Sequence, residues 1–159
     1  MKKLLIINLK NMKKILLVVA LAFVSLIDIN AQTEYKVITV VESIVPMGMG
    51  RSRIIENGTA IDHNQFTTER TDGKKSDQGK IKRGDAKVEK FAETKLLNFY
   101  SGVGINFQNI ASNDALITSM INTLSADGWT LMTFSSGVES AGYKDNAGIY
   151  ITRFLFKKG

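Results

Sequence analysis

Residues 113–134 read NDALITSMINTLSADGWTLMTF, and this stretch decides the fold. Leu116, Ile117, Met120, Ile121 and Leu124 recur at the three- and four-residue spacing of a helix that buries one side. Asn113 stands where a side-chain oxygen caps the first turn, and Asp114 follows where a carboxylate complements the helix dipole. Gly128 supplies a left-handed stop, after which Trp129 to Phe134 reads as a strand. Burying the stripe contributes on the order of 1.5–3 kcal/mol per large side chain.

The rest of the chain is read outward from this helix. Towards the C-terminus, Ser135 to Ala147 is rich in Ser, Gly, Asp and Asn and predicts a connection. Gly148 to Phe156 predicts the final strand, the second arm of a long-looped antiparallel hairpin. Towards the N-terminus, Tyr35 to Val45 is β-branched, has apolar residues of both parities and stops at Pro46, the one proline. That pattern fits a strand covered on both faces or paired centrally in a sheet. Pro46 to Gly50 predicts a loop, Ile54-Ile55 a short strand ending in a tight turn at Asn57-Gly58, and Phe66 to Thr68 another strand. Val88, Phe91, Ala92, Leu96 and Phe99 fall at helical spacing, with Asp85 as cap and Gly102 as stop, although Leu97 and Phe99 also fit a strand. Val103 to Phe107 reads as extended. Between Glu69 and Lys95 lie nine basic and six acidic residues in 27, so residues near 71–84 predict a solvated, mobile loop. The expected fold class is α+β: a mostly antiparallel sheet of three to five strands with one or two helices packed on it.

The first thirty-one residues read as an address. Lys13-Lys14 precede Ile15 to Ile27, thirteen residues without a charge. As a helix this run rises about 20 Å, short of the roughly 30 Å hydrocarbon core, and its basic flank and Ala31 complete the parts of a signal peptide. Cleavage after Ala31 leaves one domain, residues 32–159, and predicts export to the periplasm or cell surface, with membrane contact only through an uncleaved leader. Residues 1–31 hold five of the 21 basic residues and one of the 15 acidic ones, leaving sixteen against fourteen, a net charge of +2. The basic pI near 9.5 therefore reports the leader, and no nucleic-acid partner is inferred from it.

Tyr35-Lys36-Val37 at the first strand, Gly128-Trp129-Thr130-Leu131 at the helix-to-strand corner and the terminal Phe154-Leu155-Phe156-Lys157-Lys158 resemble a small bacterial domain-of-unknown-function family. The chain also resembles longer exported proteins of that kind, with Glu42-Ser43-Ile44-Val45-Pro46 and Gly50-Arg51-Ser52-Arg53 in the same places. Thr130 replaces the usual Glu, and residues 46–111 are an insertion relative to the small domain. The resemblance implies the α+β fold and carries no established activity or mechanism.

Few residues offer chemistry. Without Cys there are no disulfides, thiol nucleophiles or thiolate metal sites, and no cofactor motif is present. His63 is the single imidazole, beside Asp62, and reads as a solvated loop residue more readily than as a base. The carboxylates of Glu42 and Glu56 are a formal pair for sugar chemistry, with nothing in the sequence to bring them together. Gly48, Gly50, Arg51 and Arg53 form the most suggestive loop: glycine backbones admit an anion and two guanidiniums grip a phosphate or carboxylate. The loop lacks the Lys-Ser/Thr ending of a phosphate-binding P-loop. Lys74, Lys75, Lys80, Lys82, Arg83 and Lys87 form a basic stretch without aromatics to stack bases. Tyr143, in the long connection, is the candidate aromatic contact for a protein partner or a second copy.

Overall fold

The computed structural model describes residues 11, 12, 14, 16, 33–45, 51–139 and 148–159. It divides into a unit of Met1–Gln32 with Gly159, whose described residues 11, 12, 14 and 16 are helical, and a body of Thr33–Lys158. The leader's cut after Ala31, the Pro46–Gly50 loop and the connection at 140–147 lie outside the described residues.

β-Branched residues and alternating burial make Glu34–Ser43 (β1) the central strand. It pairs antiparallel with Arg53–Asn57 (β2) on one edge and along all ten of its residues with the terminal strand on the other. In chain order the remaining elements are Phe91–Lys95 (β3), Tyr100–Ser101 (β4), Gly104–Ile105 (β5), the helix Phe107–Ala126 (α1), Thr130–Glu139 (β6) and Ile149–Lys158 (β7). The main sheet is antiparallel throughout, in the order β3-β2-β1-β7-β6, and β4 with β5 forms a separate two-stranded ribbon. The protein is α+β, as its sequence predicts.

The period of two gives the sheet two different faces. Ile38 and Val40 of β1, Ile54 of β2 and Phe156 of β7 form the core with Leu96 and Leu124. Ile117, Met120, Ile121, Trp129, Leu131 and Phe154 pack against it, so α1 lies on this face. Side chains of the other parity, Tyr35 and Val37 among them, point away, and these two are 64% and 48% exposed. The second face of β1 is open at Tyr35 and Val37 and covered towards its end, where Val41 is half-buried and Ser43 fully buried.

Three sequence expectations are corrected. Asn113 does not cap α1; the cap lies seven residues earlier, where Asn106 Oδ1 accepts from the Asn109 N–H at 3.1 Å. The Asn106 N–H is itself donated to Phe99 O, so this cap is anchored in the fold, whereas Asn113 is buried and used for other contacts. The helix expected from Asp85 to Gly102 is absent, and Phe91–Lys95 is a strand on the edge of β2. Spacing alone favoured a helix, but β2 would then leave its outer backbone groups unpaired, and Glu93 of β3 meets Arg53 of β2 directly. Phe66 closes a 3₁₀ turn, His63–Phe66, nucleated by Asp62 accepting the Asn64 N–H, so the expected Phe66–Thr68 strand does not form.

Two shorter readings are also revised. Asn57 Oδ1 accepts from the Thr59 N–H in a local turn, but this turn opens a long excursion to β3 rather than a tight hairpin. Ser135–Glu139, read as connection, continues β6. Residues 71–80, by contrast, are exposed throughout, as their charge predicts.

The end of α1 follows its sequence closely. Gly128 takes φ +85°, the Gly128 N–H donates to Ser125 O and the Trp129 N–H to Leu124 O. This paired closure satisfies two orphan carbonyls and brings Trp129 and Leu124 into the same core. Leu124 is buried while Leu116, in the same sequence stripe, is 39% exposed. Leu124→Ala is expected to cost about 2–5 kcal/mol, against about 0.5 kcal/mol for Leu116→Ala, measured by denaturant unfolding. Equal losses would mean that the helix rests on the sheet by a different side.

Candidate functional site

The predicted anion loop is only partly within view. Gly48 and Gly50 lie outside the described residues, as does Tyr143. Arg51 is exposed just before β2. Arg53 sits within β2, opposite Val41 and Lys95, on the face away from α1, and its Nη1 donates to Glu93 Oε1 at 2.5 Å. The guanidinium therefore already holds a carboxylate, in a half-exposed pair worth about 1 kcal/mol or less. The depression there is lined by Ser52, Arg53, Glu93 and Lys95. The depression beside the His63 turn is lined by Asp62, Gln65, Phe66, Asp85 and Lys87 among others, and the two share no residue.

His63 is exposed, and the Asp62 carboxylate beside it is occupied by the Asn64 backbone and side-chain N–H groups. Glu42 and Glu56 share the helix-side face, yet Glu56 stands opposite Ile38, four residues from Glu42. Four residues of strand span about 13 Å, beyond the roughly 9.5 Å limit for two carboxylates flanking one glycosidic bond. Each also has its own partner, Asn113 for Glu42 and Lys36 for Glu56.

Sequence reading missed the polar contact that Asn113 makes in the middle of α1. Asn113 Oδ1 accepts the Leu97 N–H at 2.8 Å, and its Nδ2 donates to Leu97 O at 2.8 Å and to Glu42 Oε1 at 2.9 Å. The amide thus pairs with the chain after β3 much as a strand residue would, while gripping β1. Asn113 is fully buried and Glu42 is 7% exposed. Burial raises the Glu42 pKa above its ordinary value, the Asn113 hydrogen bond opposes this, and the Asp114 charge adds to it. A raised carboxyl is often a catalytic acid, but this one is bonded to a structural amide within the helix–sheet seam. In sequence Asn113 suits a helix cap, and its burial, which demands partners, is set by the sheet beneath it.

The fold gathers the short motifs at one corner. Lys36 stands opposite Phe156, Tyr35 opposite Lys157 and Glu34 opposite Lys158, while Thr130 faces Lys157 from β6. Two cations lie over the Trp129 ring, with Lys36 Nζ 4.9 Å and Lys158 Nζ 5.7 Å from its centroid. Lys36 Nζ also donates to Glu56 Oε1 at 2.6 Å. These residues tie the two ends of the sheet body together, and a shallow cleft of about 620 Å³ between Trp129, residues 34–37 and residues 57–60 adjoins them.

The most distinctive surface is apolar. Phe134 and Val138 of β6 are 64% and 62% exposed, and Met132 is exposed beside them. Phe134 packs on Phe154 with ring centroids 6.1 Å apart, and Val138 stands opposite Tyr150. Phe134 and Val138 lie on the sheet's helix side, at the β6 edge. Among the described residues no cluster of three or more His, Asp or Glu has metal-holding geometry, and no helix is long and apolar enough to cross a membrane. No family model, curated protein or solved structure matches the chain.

The Glu42 contact has a signed pH consequence. The folded state holds this proton more tightly than the unfolded chain, whose ordinary value is 4.5. The group's contribution is therefore complete below 4.5 and is lost as pH rises through the folded value. Glu42→Gln keeps an acceptor for Asn113 and removes the charge. It is expected to raise the melting temperature at neutral and alkaline pH, with the gap closing below 4.5 in calorimetry. Asn113→Leu, which strands Glu42 and both Leu97 backbone groups, is expected to cost about 3 kcal/mol. A Glu42→Gln gap that widens in acid would reverse the assignment.

Proposed function

We propose that the chain is an exported, non-enzymatic interaction module of the periplasm or cell surface. One observation carries the reading: large apolar side chains lie exposed on strands of the main sheet, Tyr35 and Val37 on one face and Phe134 and Val138 at one edge. Rigid strands present such side chains at low entropic cost, and exposed apolar patches are the ordinary mark of an interaction site. Glu42, Glu56 and Asp62, three of the groups weighed for catalysis, are each engaged in structural contacts, which supports the same reading. The leader supports export.

Capture from a periplasmic extract with the tagged protein is expected to recover a partner or further copies of the chain. Val37→Glu and Phe134→Glu together are expected to abolish that recovery without changing the circular dichroism spectrum. Undiminished recovery by the double variant would remove the apolar surface from the account. Intact mass of the exported protein is expected to correspond to a start at Gln32, and the full 17.6 kDa chain free in the cytoplasm would refute export.

The alternative is a binding protein for a small phosphate or carboxylate through Arg51 and Arg53. Its discriminating observation is a thermal shift with inorganic phosphate that disappears in Arg51→Ala. The Arg53–Glu93 pair weighs against it.

A further inference from the structure

Among the described residues the main sheet ends in β3 on one side and β6 on the other, and these two edges are built differently. β3 is five residues long and carries Glu93 and Lys95, the short charged form that keeps an edge from pairing with another chain. β6 is ten residues long, TLMTFSSGVE, with neither Lys nor Pro and a single charge at its last residue. Its one irregularity is the register shift between Leu131 and Thr133, at the end near the Trp129 corner. From Thr133 to Glu139 the pairing with β7 is regular, and every residue is exposed. A strand's outer backbone groups are a row of donors and acceptors ready for another strand.

The side-chain order along this edge selects the occupant. Phe134, Ser136 and Val138 share the helix-side face, and Ser135 and Gly137 the other. The pattern reads apolar, small, apolar in either direction about Ser136. A second copy laid antiparallel on that centre sets Phe134 against Val138 twice, Ser136 against itself and Ser135 against Gly137. Glu139 falls opposite Thr133, so no like charges meet. Phe134 is already held by Phe154, which reduces the cost of ordering it. The apolar row Ile38, Phe154, Phe134 would run on into Val138 and Tyr150 of the second copy. The central row would be Thr152 and Ser136, whose hydroxyls are 2.8 Å apart, followed by the same pair from the second copy.

We propose that β6 is a dimerisation edge, pairing with β6 of a second copy about a two-fold axis at Ser136 and joining two five-stranded sheets into one of ten strands. The inference deepens the reading of the chain as an interaction module by naming its partner as another copy of itself.

Sedimentation equilibrium of the exported protein, from micromolar to millimolar concentration, is expected to show a reversible dimer. Phe134→Lys with Val138→Lys sets like charges opposite one another in this register and is expected to weaken self-association at least about 30-fold, as for loss of one anchoring side chain. The matching Glu double variant is expected to be equally weak alone, while an equimolar mixture of the two associates more tightly than either. Because the chain has no Cys, Ser136→Cys supplies a single thiol that meets its own copy, and mild oxidation is expected to give a disulfide dimer that Ser125→Cys does not. A wild-type protein that stays monomeric, a Lys variant that associates as wild type does, or equal cross-linking of the two Cys variants would overturn the proposal. A monomer that still recovers a different protein from the extract would overturn this inference alone and leave the interaction-module reading standing.

Discussion

The structure depends on the pairing of β1 with β7, which joins the first and last strands of the body along ten residues. Every other element is placed by it. β2 pairs along the outer side of β1, β6 along the outer side of β7, and the core residues Ile38, Val40 and Phe156 sit on these two strands. The pairing closes over the whole intervening chain, so its loop entropy is offset only when α1 covers the apolar face it creates. Sheet and helix therefore form together: neither β1 nor α1 has a sufficient apolar contact without the other.

Asn113 shows how such a body fixes the register of helix on sheet. Apolar packing alone tolerates small slides of α1, because Ile117, Met120, Ile121 and Leu124 make no directional contact. Three hydrogen bonds from one buried amide, to Glu42 and to both backbone groups of Leu97, do not tolerate them. The accompanying burial of Glu42 works against stability where the carboxyl is charged, so the contact contributes position at some energetic cost.

The contrast between the two sheet edges bears on function. β3 is protected by charge and brevity, and its Arg53–Glu93 contact turns the most suggestive cationic residue into part of the sheet surface. β6 carries no comparable device over its regular length, and the apolar residues at its edge continue the core outward through Phe154 and Phe134. A surface that continues a core is suited to being covered by another chain.

Much of the architecture was legible along the chain because it depends on local rules. The stripe from Ile117 to Leu124, the stop at Gly128 and the β-branched runs of β1 and β7 are each decided within a few residues, by side-chain period and shape and by the left-handed conformation that glycine adopts without strain. What the sequence could not decide were choices between segments. Phe91–Lys95 became a strand because β2 offered an open edge, and Asn106 took the cap that Asn113 also suited because Phe99 anchored it. The fates of Glu42, Glu56, Arg53 and His63 were likewise set by which partners the folded chain brought near. Local preference is a property of neighbours in sequence, whereas burial and pairing are properties of neighbours in space, and those exist once the sheet has closed.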